Sequence, residues 1–363
     1  MISVIGAGPA GSFYSSLVKN QDVRLFEEHK TVGCPVACTG ILTDSIKRVT
    51  DFPKDLVISH IDRFKIVAPN GKVTYIDLKK RNYVLDRARF DQHLFSRAVD
   101  AGVSIHTGER FLGYTKKDNT YRIKTTKKTY ETDMLVGADG PHSRVAQSAG
   151  IYGNRQFIKG WQARCKYPNL EPGVTEIRLN LGEFSWIVPE DEHTARVGVI
   201  GADTKTLRQD YKKLLGASTI IEDQSGMIPL YNPKQQLRKP REDIFLLGDA
   251  ATQVKATTYG GIIYGMICGT YLAEDKETYE QRFHEKLGRD LWVSLKMREL
   301  MNNMNESQSN DLIDIFQKKH NIDILGTHDR DFPSKFIVQL LMKETKLWKL
   351  GFGILKNKLT GTQ

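Results

Sequence analysis

Cysteine is scarce in this sequence, and the few cysteines form no clustered set near its C-terminal end. Four occur in 363 residues, at positions 34, 38, 165 and 268. Small secreted domains use many disulfides and iron–sulfur proteins use closely spaced cysteine ligands, so this pattern argues against both classes. We therefore expect a reducing, cytoplasmic setting and no metal site.

Long hydrophobic runs are also missing. The uncharged stretch over residues 260–273 is too short to cross a bilayer and is interrupted by glycines. The first apolar run, residues 2–5, leads directly into a glycine-rich turn, so we expect no signal peptide. With 40% hydrophobic and 26% charged residues, the composition is that of an ordinary globular protein of one large domain or two joined ones.

The chain carries a large positive charge, with a formal net charge of +10 at pH 7 and a pI near 9.2. No recognised nucleic-acid-binding motif accompanies this charge, and the basic residues are spread along the chain, so we expect no nucleic-acid partner. An anionic membrane surface and a phosphate-bearing substrate explain the charge equally well. Composition does not choose between these two.

A glycine-rich turn follows the first β-rich run. Residues 6–11 read G-x-G-x-x-G and open a predicted helix, which places glycines where a tight turn, a close approach to pyrophosphate and helix–strand packing need them. A second predicted strand, residues 22–26, ends in an acid suited to a ribose diol, and its charge disfavours a 2′-phosphate. The pattern predicts FAD or NAD rather than NADP. The predicted contacts are Gly6, Gly8, Ala10, Gly11 and Glu27.

Three later segments narrow the choice between FAD and NAD. They are a helix that follows Asp86, a buried strand over residues 134–140, and a strand over residues 244–251 that runs into the helix at residues 260–273. In this order they resemble the glutathione-reductase-type FAD fold, in its hydroxylase-like branch. The resemblance implies FAD, with the N-terminus of the last helix directed at the isoalloxazine. The further cofactor-binding residues that it implies are Arg87, Asp139, Gly140, Asp249, Gly260, Gly261 and Ile262.

Alternating apolar and polar runs predict a second layer of antiparallel strands. These runs cover residues 63–69, 72–77, 160–167, 175–181, 184–188 and 194–201. We therefore predict an α/β (α+β) fold in which a Rossmann-type FAD-binding domain is interleaved with an antiparallel-sheet substrate domain. The predicted FAD-binding domain comprises residues 1–60, 80–150 and 240–290, the substrate domain residues 61–79 and 151–239, and a C-terminal helical region residues 291–363.

The C-terminal region allows two interpretations. We predict that the chain is helical from residue 269 to about 302, with shorter helices over residues 311–319 and 333–349. Residues 335–359 alternate large apolar side chains with lysines. One interpretation is a helix packed on the core with solvated lysines. The other is a basic amphipathic anchor that holds the protein peripherally on an anionic membrane.

Several segments resemble the geranylgeranyl reductase family. Residues 32–41 are similar to its Pro-Val-x-Cys-x-Gly-[Ile/Leu] segment, residues 248–262 to its Gly-Asp-Ala-Ala…Gly-Gly-Ile loop, and residues 184–189 to its aromatic-x-Trp-x-Phe-Pro strand. Residues 323–334 resemble the C-terminal region of archaeal digeranylgeranylglycerophospholipid reductases. The chain departs from the family pattern at Thr39, Val188 and Thr252, which bears on substrate length and selectivity.

This resemblance implies an FAD-dependent reductase of C=C bonds in geranylgeranyl chains, carried by archaeal ether lipids or polyprenyl diphosphates. Hydride from N5 of reduced FAD would reach one alkene carbon and a proton the other. Cys38, also expected beside the cofactor, is the candidate proton donor or substrate-positioning group, unless it is only a small core residue. Cys34 could form a transient redox pair with it. Trp186 and Tyr259 either line the substrate channel or pack in the core.

Other flavoenzymes of this fold are alternatives. Aromatic hydroxylases usually carry Gly-x-Asn where residues 261–263 read Gly-Ile-Ile, and flavin halogenases carry two tryptophans where residues 184–189 supply one. Electron carriers to a membrane quinone typically add an iron–sulfur cysteine set. The electron donor is left open between NAD(P)H and a ferredoxin, because no second dinucleotide motif occurs.

Overall fold

The computed structural model describes residues 1–118 and 120–348. The strands in these residues are β1 (Ile2–Ile5), β2 (Val23–Phe26), β3 (Ile41–Leu42), β4 (Val57–Val67), β5 (Val73–Leu85), β6 (Ser104–His106), β7 (Phe111–Lys117), β8 (Thr120–Thr125), β9 (Thr129–Thr132), β10 (Met134–Gly137), β11 (Phe157–Lys166), β12 (Val174–Arg178), β13 (Phe184–Pro189), β14 (Thr194–Gly201), β15 (Thr219–Pro229) and β16 (Ile244–Leu246). The helices are α1 (Pro9–Leu17), α2 (Arg87–Asp100), α3 (Arg144–Ser148), α4 (Thr204–Leu215), α5 (Ile262–Glu274), α6 (Tyr279–Phe283), α7 (Arg289–Asn302), α8 (Glu306–Phe316), α9 (Lys319–Thr327) and α10 (Ser334–Lys343).

A parallel five-stranded sheet forms the first layer, in the order β16-β10-β1-β2-β6. Every residue of β1, β10 and β16 is buried, as expected for parallel strands covered on both faces. This arrangement confirms the predicted Rossmann-type layer. It also brings the ends of β1, β10 and β16, each followed by a glycine-containing turn, to one edge of the sheet.

An eight-stranded sheet forms the second layer, in the order β15-β11-β14-β13-β12-β4-β5-β3. Alternate side chains of its central strands, among them Ala163 and Val197, pack against α4 through Leu207 and Tyr211. Because side chains alternate along a strand, the intervening residues face the other way, toward the loops of the parallel sheet. A separate small antiparallel sheet holds β7, β8 and β9.

The sequence-based prediction of the second sheet needs three corrections. The sheet is mixed, since β12 and β4 pair in parallel. Strands β4 and β5 extend beyond the predicted segment 61–79, because the hairpin continues pairing up to Val57 and Leu85, and β3 pairs with β5 although residues 41–42 had been placed in the FAD-binding domain. Helix α4 and strand β15 were not predicted. The division into domains itself stays a prediction.

The C-terminal helices differ in their bounds from the prediction. Helix α5 ends at Glu274 rather than continuing to residue 302, because the chain becomes extended at Asp275. Helix α6 then continues through a π-helical turn, His284–Gly288, into α7. The predicted helix over residues 311–319 is replaced by α8 and α9, which meet at Lys318 in extended conformation. The predicted amphipathic tail beyond residue 348 lies outside the described residues.

Helix α9 lies against β5, where a Cβ at Gly326 would come within 2.2 Å of the carbonyl oxygen of Asp77. This close approach attaches the C-terminal region to the eight-stranded sheet. Among the residues that the structure describes, no helix combines the length and the apolar character that a bilayer span requires.

Candidate cofactor and substrate site

The glycines after β1 have the separate roles that their spacing predicts. A Cβ at Gly6, where φ is +100°, would lie 2.3 Å from the carbonyl oxygen of Ala138, and a Cβ at Gly11 would lie 2.0 Å from that of Gly6. Around Gly8, in contrast, no atom lies within 4 Å of the Cβ position. The first and third glycines therefore permit tight packing, and the second leaves space for a ligand to approach the backbone.

Two helices present uncapped N-termini at this edge of the sheet. The N-cap residues of α1 and α5 are Gly8 and Gly261, and neither provides a side-chain cap. The two helices are in contact near these ends. A Cβ added at Gly265 of α5 would lie 3.3 Å from the Cβ of Ala10 of α1. Free backbone N–H groups and the positive end of the helix dipole favour anionic groups such as a pyrophosphate or a reduced flavin.

The carboxylate of Glu27 lies directly at the glycine turn. It accepts hydrogen bonds from the backbone N–H of Ala7 at 3.0 Å and from the backbone N–H of His29 at 2.9 Å. The acid is therefore held beside the turn where an adenosine ribose would lie. Its contact with the ribose stays a prediction.

Asp249 presents a half-buried carboxylate between the two helix N-termini. It follows Gly248, and its Oδ1 lies 3.0 Å from the Cβ position of Gly261, next to the start of α5. Burial raises the pKa of Asp249 to about 6, although Arg87 and Arg155 act in the opposite direction. None of the described residues hydrogen-bonds to this carboxylate. An acceptor without a protein partner fits the ribityl and pyrophosphate end of FAD.

Arg87 connects the cofactor edge to the loop that carries Cys38. It begins α2, whose N-cap is Asp86 as predicted, and it pairs with Asp91 at 3.1 Å. Its side chain also packs against the Cys38 loop, where its Cγ lies 3.2 Å from the Cβ position of Gly40. Burial opposes its charge, but Asp91 and Cys38 outweigh burial and raise the pKa of Arg87. The structure therefore groups the Cys38 loop, Arg87 and Asp249 around one edge, and their predicted contact with the cofactor stays a prediction.

Asp139 has a local role in the structure. Its carboxylate accepts hydrogen bonds from Ser143 Oγ at 2.5 Å and from the backbone N–H of Val145 at 3.0 Å. It thus stabilises the N-terminus of α3. The following Gly140 has φ +75° and no atom within 4 Å of its Cβ position, so space for a ligand remains there. The predicted cofactor contact of Asp139 and Gly140 stays a prediction.

Sequence reasoning missed Arg155, which joins two cofactor loops. This buried side chain donates to the carbonyl oxygens of Pro141 at 2.9 Å and Ala250 at 2.5 Å. It therefore ties the turn after β10 to the turn after β16. A single arginine in an irregular segment has no periodic or spacing signal, so only the folded chain identifies it.

The predicted aromatic residues form a row between the two layers. Tyr259 stacks on Phe184 with ring centres 6.0 Å apart, and Phe184 lies 5.9 Å from Trp186. The hydroxyl of Tyr259 donates to Glu183, and the ring is 7% exposed, so this residue packs in the core. Trp186 is half-buried on the same surface. The apolar residues that lie around this row, also partly buried, are Ile177, Leu179, Ile228 and Leu230.

The cysteines differ in accessibility. Cys165 and Cys268 are buried, Cys34 is exposed, and Cys38 is half-buried with its Sγ accepting from the backbone N–H of Gly40 at 3.3 Å. Of the four, Cys38 lies in the loop that packs against Arg87 at the cofactor edge. A surface cavity of about 530 Å³ beside the C-terminal end of α4, lined partly by Lys166 and Arg178, contains none of the predicted site residues.

Residues 68–272, more than half of the chain, match the family described as FAD binding domain. The chain belongs to this family. Its cofactor is FAD, and the open space at Gly8, the uncapped helix ends and the unpartnered Asp249 fit that cofactor.

The chain is similar to archaeal proteins over most of its length. An uncharacterized protein of Methanocaldococcus jannaschii is 26% identical and covers 99% of this chain and 98% of its own. A digeranylgeranylglycerophospholipid reductase of Methanosarcina acetivorans is 27% identical over 86% of this chain and 87% of its own. The solved structure of a geranylgeranyl bacteriochlorophyll reductase-like protein of Thermoplasma acidophilum has the same fold, with a TM-score of 0.78, 20% identity, and coverage of 96% and 98%.

The raised pKa of Asp249 predicts a pH-dependent effect of Asp249→Asn. In the FAD-free protein the folded chain keeps the proton of Asp249 up to about pH 6, above the ordinary value of 3.8, so its stability falls as the pH rises through this window. The variant should therefore unfold at a higher temperature than the wild type at pH 8, and the gain should disappear toward pH 4. Thermal unfolding of FAD-stripped protein at both pH values measures this.

The exposed Asp51→Asn serves as the matched control and should produce no comparable pH-dependent gain. An equal gain for Asp249→Asn at both pH values would show that burial does not perturb Asp249.

Proposed function

We propose that the protein is an FAD-dependent reductase that saturates C=C bonds of geranylgeranyl chains in archaeal ether lipids or polyprenyl diphosphates. The observation that carries this proposal is the position of the Cys38 loop between the cofactor edge and the eight-stranded sheet. Cys38 itself is half-buried, the neighbouring Gly40 packs against Arg87, and Thr39 donates to Gln162 of the sheet. The similarity to proteins named digeranylgeranylglycerophospholipid reductase supports the substrate class.

Reduced FAD, when bound, supplies a hydride from N5, and the alkene needs one proton in addition. The electron pair of the hydride would form one new C–H bond, and the π pair of the alkene would form the other with the proton, so the anionic reduced flavin would be left as oxidised FAD. We assign the delivery of the proton, or the alignment of the chain beside it, to Cys38. An isolated alkene has no carbonyl to polarise, so alignment and the exclusion of water must supply most of the rate.

A single-turnover experiment tests this function. Purified protein reduced with dithionite under nitrogen is mixed with a geranylgeranyl-bearing lipid, and the lipid mass is measured. The mass should increase by two hydrogens per reduced bond while the flavin becomes oxidised. If the lipid is unchanged, and oxygen with a phenol instead yields a hydroxylated product, the protein is an aromatic hydroxylase of the same fold.

The electron donor is tested with the same protein. The rate of flavin reduction is compared for NADH, NADPH and a reduced ferredoxin, since the chain has no second dinucleotide motif. Reduction by a ferredoxin alone would assign the donor to a protein partner. Fast reduction by NADH or NADPH would show that the donor is a nicotinamide nucleotide, which transfers its hydride directly to the flavin.

Peripheral binding to an anionic membrane is part of the proposal. Trp292, Met342 and Trp348 of the C-terminal region are 50%, 78% and 51% exposed. Lys335 and Lys343 are exposed on α10, and Lys343 directly follows Met342 in sequence. Two effects favour binding: apolar side chains insert among the lipid headgroups, and lysines are attracted to the anionic surface.

Met342→Glu is expected to reduce binding to vesicles of phosphatidylglycerol and phosphatidylcholine by about tenfold, because it removes an inserted apolar side chain and adds a negative charge. Co-sedimentation of the full chain measures the bound fraction, which high salt should also lower. Ile221→Glu, on an exposed strand residue outside the C-terminal helices (48% exposed), is the control. Equal losses for the two variants would remove the C-terminal helices from membrane binding.

A further inference from the structure

A chain of partly buried hydrogen bonds joins the Cys38 loop to the aromatic strand β13. Thr39 Oγ1 donates to Gln162 Oε1 at 2.7 Å, and Trp186 Nε1 donates to the same oxygen at 3.1 Å. Gln162 is 6% exposed, and its Nε2 donates to Gln224 Oε1 at 2.7 Å. One side chain of the eight-stranded sheet therefore holds both the residue after Cys38 and the indole on the apolar surface.

The orientation of the Gln162 amide follows from its partners. An indole N–H can only donate, so the atom that faces Trp186 must be the carbonyl oxygen. That oxygen uses both acceptor positions, one for Trp186 and one for Thr39. Because the amide is buried, removing any partner leaves a polar group without compensation.

Sheet register explains how the indole reaches Gln162. Gln162 of β11 and Trp186 of β13 both lie opposite Gly198 of β14, one on each side of it. A Cβ at Gly198 would lie 2.3 Å from Cζ2 of Trp186. Because Gly198 has no side chain, the indole of Trp186 can lie across β14 and donate to Gln162 of β11.

The backbone of the Cys38 loop has its own anchor. Arg196 Nη1 donates to the carbonyl oxygens of Thr39 at 2.5 Å and Leu85 at 3.1 Å. The Nε of Arg196 donates to the carboxylate of Glu190 at 2.8 Å, which fixes the arginine in place. Since the loop backbone is held by Arg196, the hydroxyl of Thr39 is left for a separate contact, which can be removed without detaching the loop.

We propose that Thr39 and Gln162 are positioning residues, which set the Cys38 thiol relative to Trp186 and so determine which double bond of an isoprenoid chain is presented for reduction. The assignment of substrate rests on the proposed function. The positional relation between the loop and the indole rests only on the contacts above. Two experiments therefore test the two parts separately.

The first experiment measures the accessibility of Cys38 by alkylation. In a Cys34→Ser background three cysteines remain. Two of them, Cys165 and Cys268, are each 0% exposed, so reaction with N-ethylmaleimide reports the third, Cys38. Thr39→Val and Gln162→Met should accelerate alkylation of the FAD-bound protein about tenfold, because each removes a buried hydrogen bond without changing the backbone anchor. Thr39→Ser keeps the hydroxyl and should react like the parent. Unchanged rates in both Thr39→Val and Gln162→Met would overturn the positioning role.

The second experiment measures which products form. Under single-turnover conditions, Thr39→Val and Gln162→Met should retain FAD and change the distribution of partly reduced species. The lipid concentration that gives half of the maximal single-turnover rate should rise about tenfold. Thr39→Ser should keep the parent distribution. The same distribution in all variants would overturn the selectivity role. Failure of the parent to reduce any lipid would overturn the proposed function, while the alkylation result would still decide whether Thr39 and Gln162 hold the loop.

Discussion

Cys38→Ala is expected to leave FAD bound and to slow lipid reduction by about a hundredfold, the lower range for loss of a positioned acid. Arg87 packs against the Cys38 loop at the cofactor edge, and Cys38 is only half-buried, so removal of the thiol leaves the loop backbone held by Arg196. FAD content is measured by absorbance, and the single-turnover rate by the mass of the lipid product.

Cys34→Ala is the matched control, because Cys34 lies in the same loop but is exposed. It should reduce lipid at the parent rate. Equal losses in the two variants would point to a redox pair of the two thiols. Full activity of Cys38→Ala would remove Cys38 from the mechanism.

Asp331→Ala is expected to lower the free energy of unfolding by about 3–5 kcal/mol, because it leaves a buried lysine without its partner. Asp331 forms an ion pair with Lys255, which is 2% exposed, and accepts from Thr43 Oγ1 at 2.6 Å. Burial opposes the charge of Asp331, but Lys255 and Arg330 outweigh burial and lower its pKa. Its contribution is therefore present at neutral pH and is lost as the pH falls through this lowered value.

Equilibrium urea unfolding at pH 7 measures this loss. The control is Asp314→Ala. Asp314 forms an ion pair with Lys72 at 2.8 Å, and both side chains are about half exposed. This substitution should cost less than about 1 kcal/mol, as exposed pairs do. A similar small cost for Asp331→Ala would show that the C-terminal region is not held to the cofactor loop by this pair.

The local patterns of the sequence predicted the cofactor layer well. The glycine turn, the acid after β2 and the N-cap of α2 are all encoded by neighbouring residues, and the FAD-binding family and the parallel sheet confirm the fold and cofactor. Helix α4 also had a local signal that was overlooked, since Asp203 caps its start and Gly216 ends it with φ +55°. Such features depend on residues within one or two turns of each other.

The sequence by itself determined that the chain has a dinucleotide-binding turn, because close approach at Gly6 and open space at Gly8 are backbone properties that a glycine pattern provides. The resemblance of the later segments to a known FAD fold then implied FAD. Only the tertiary structure decided how the loops around the cofactor are held. Arg155, Gln162 and Arg196 reach partners far away in sequence, across neighbouring strands and between two sheets. No periodicity records such contacts, because they depend on register and on which face of the sheet a side chain takes.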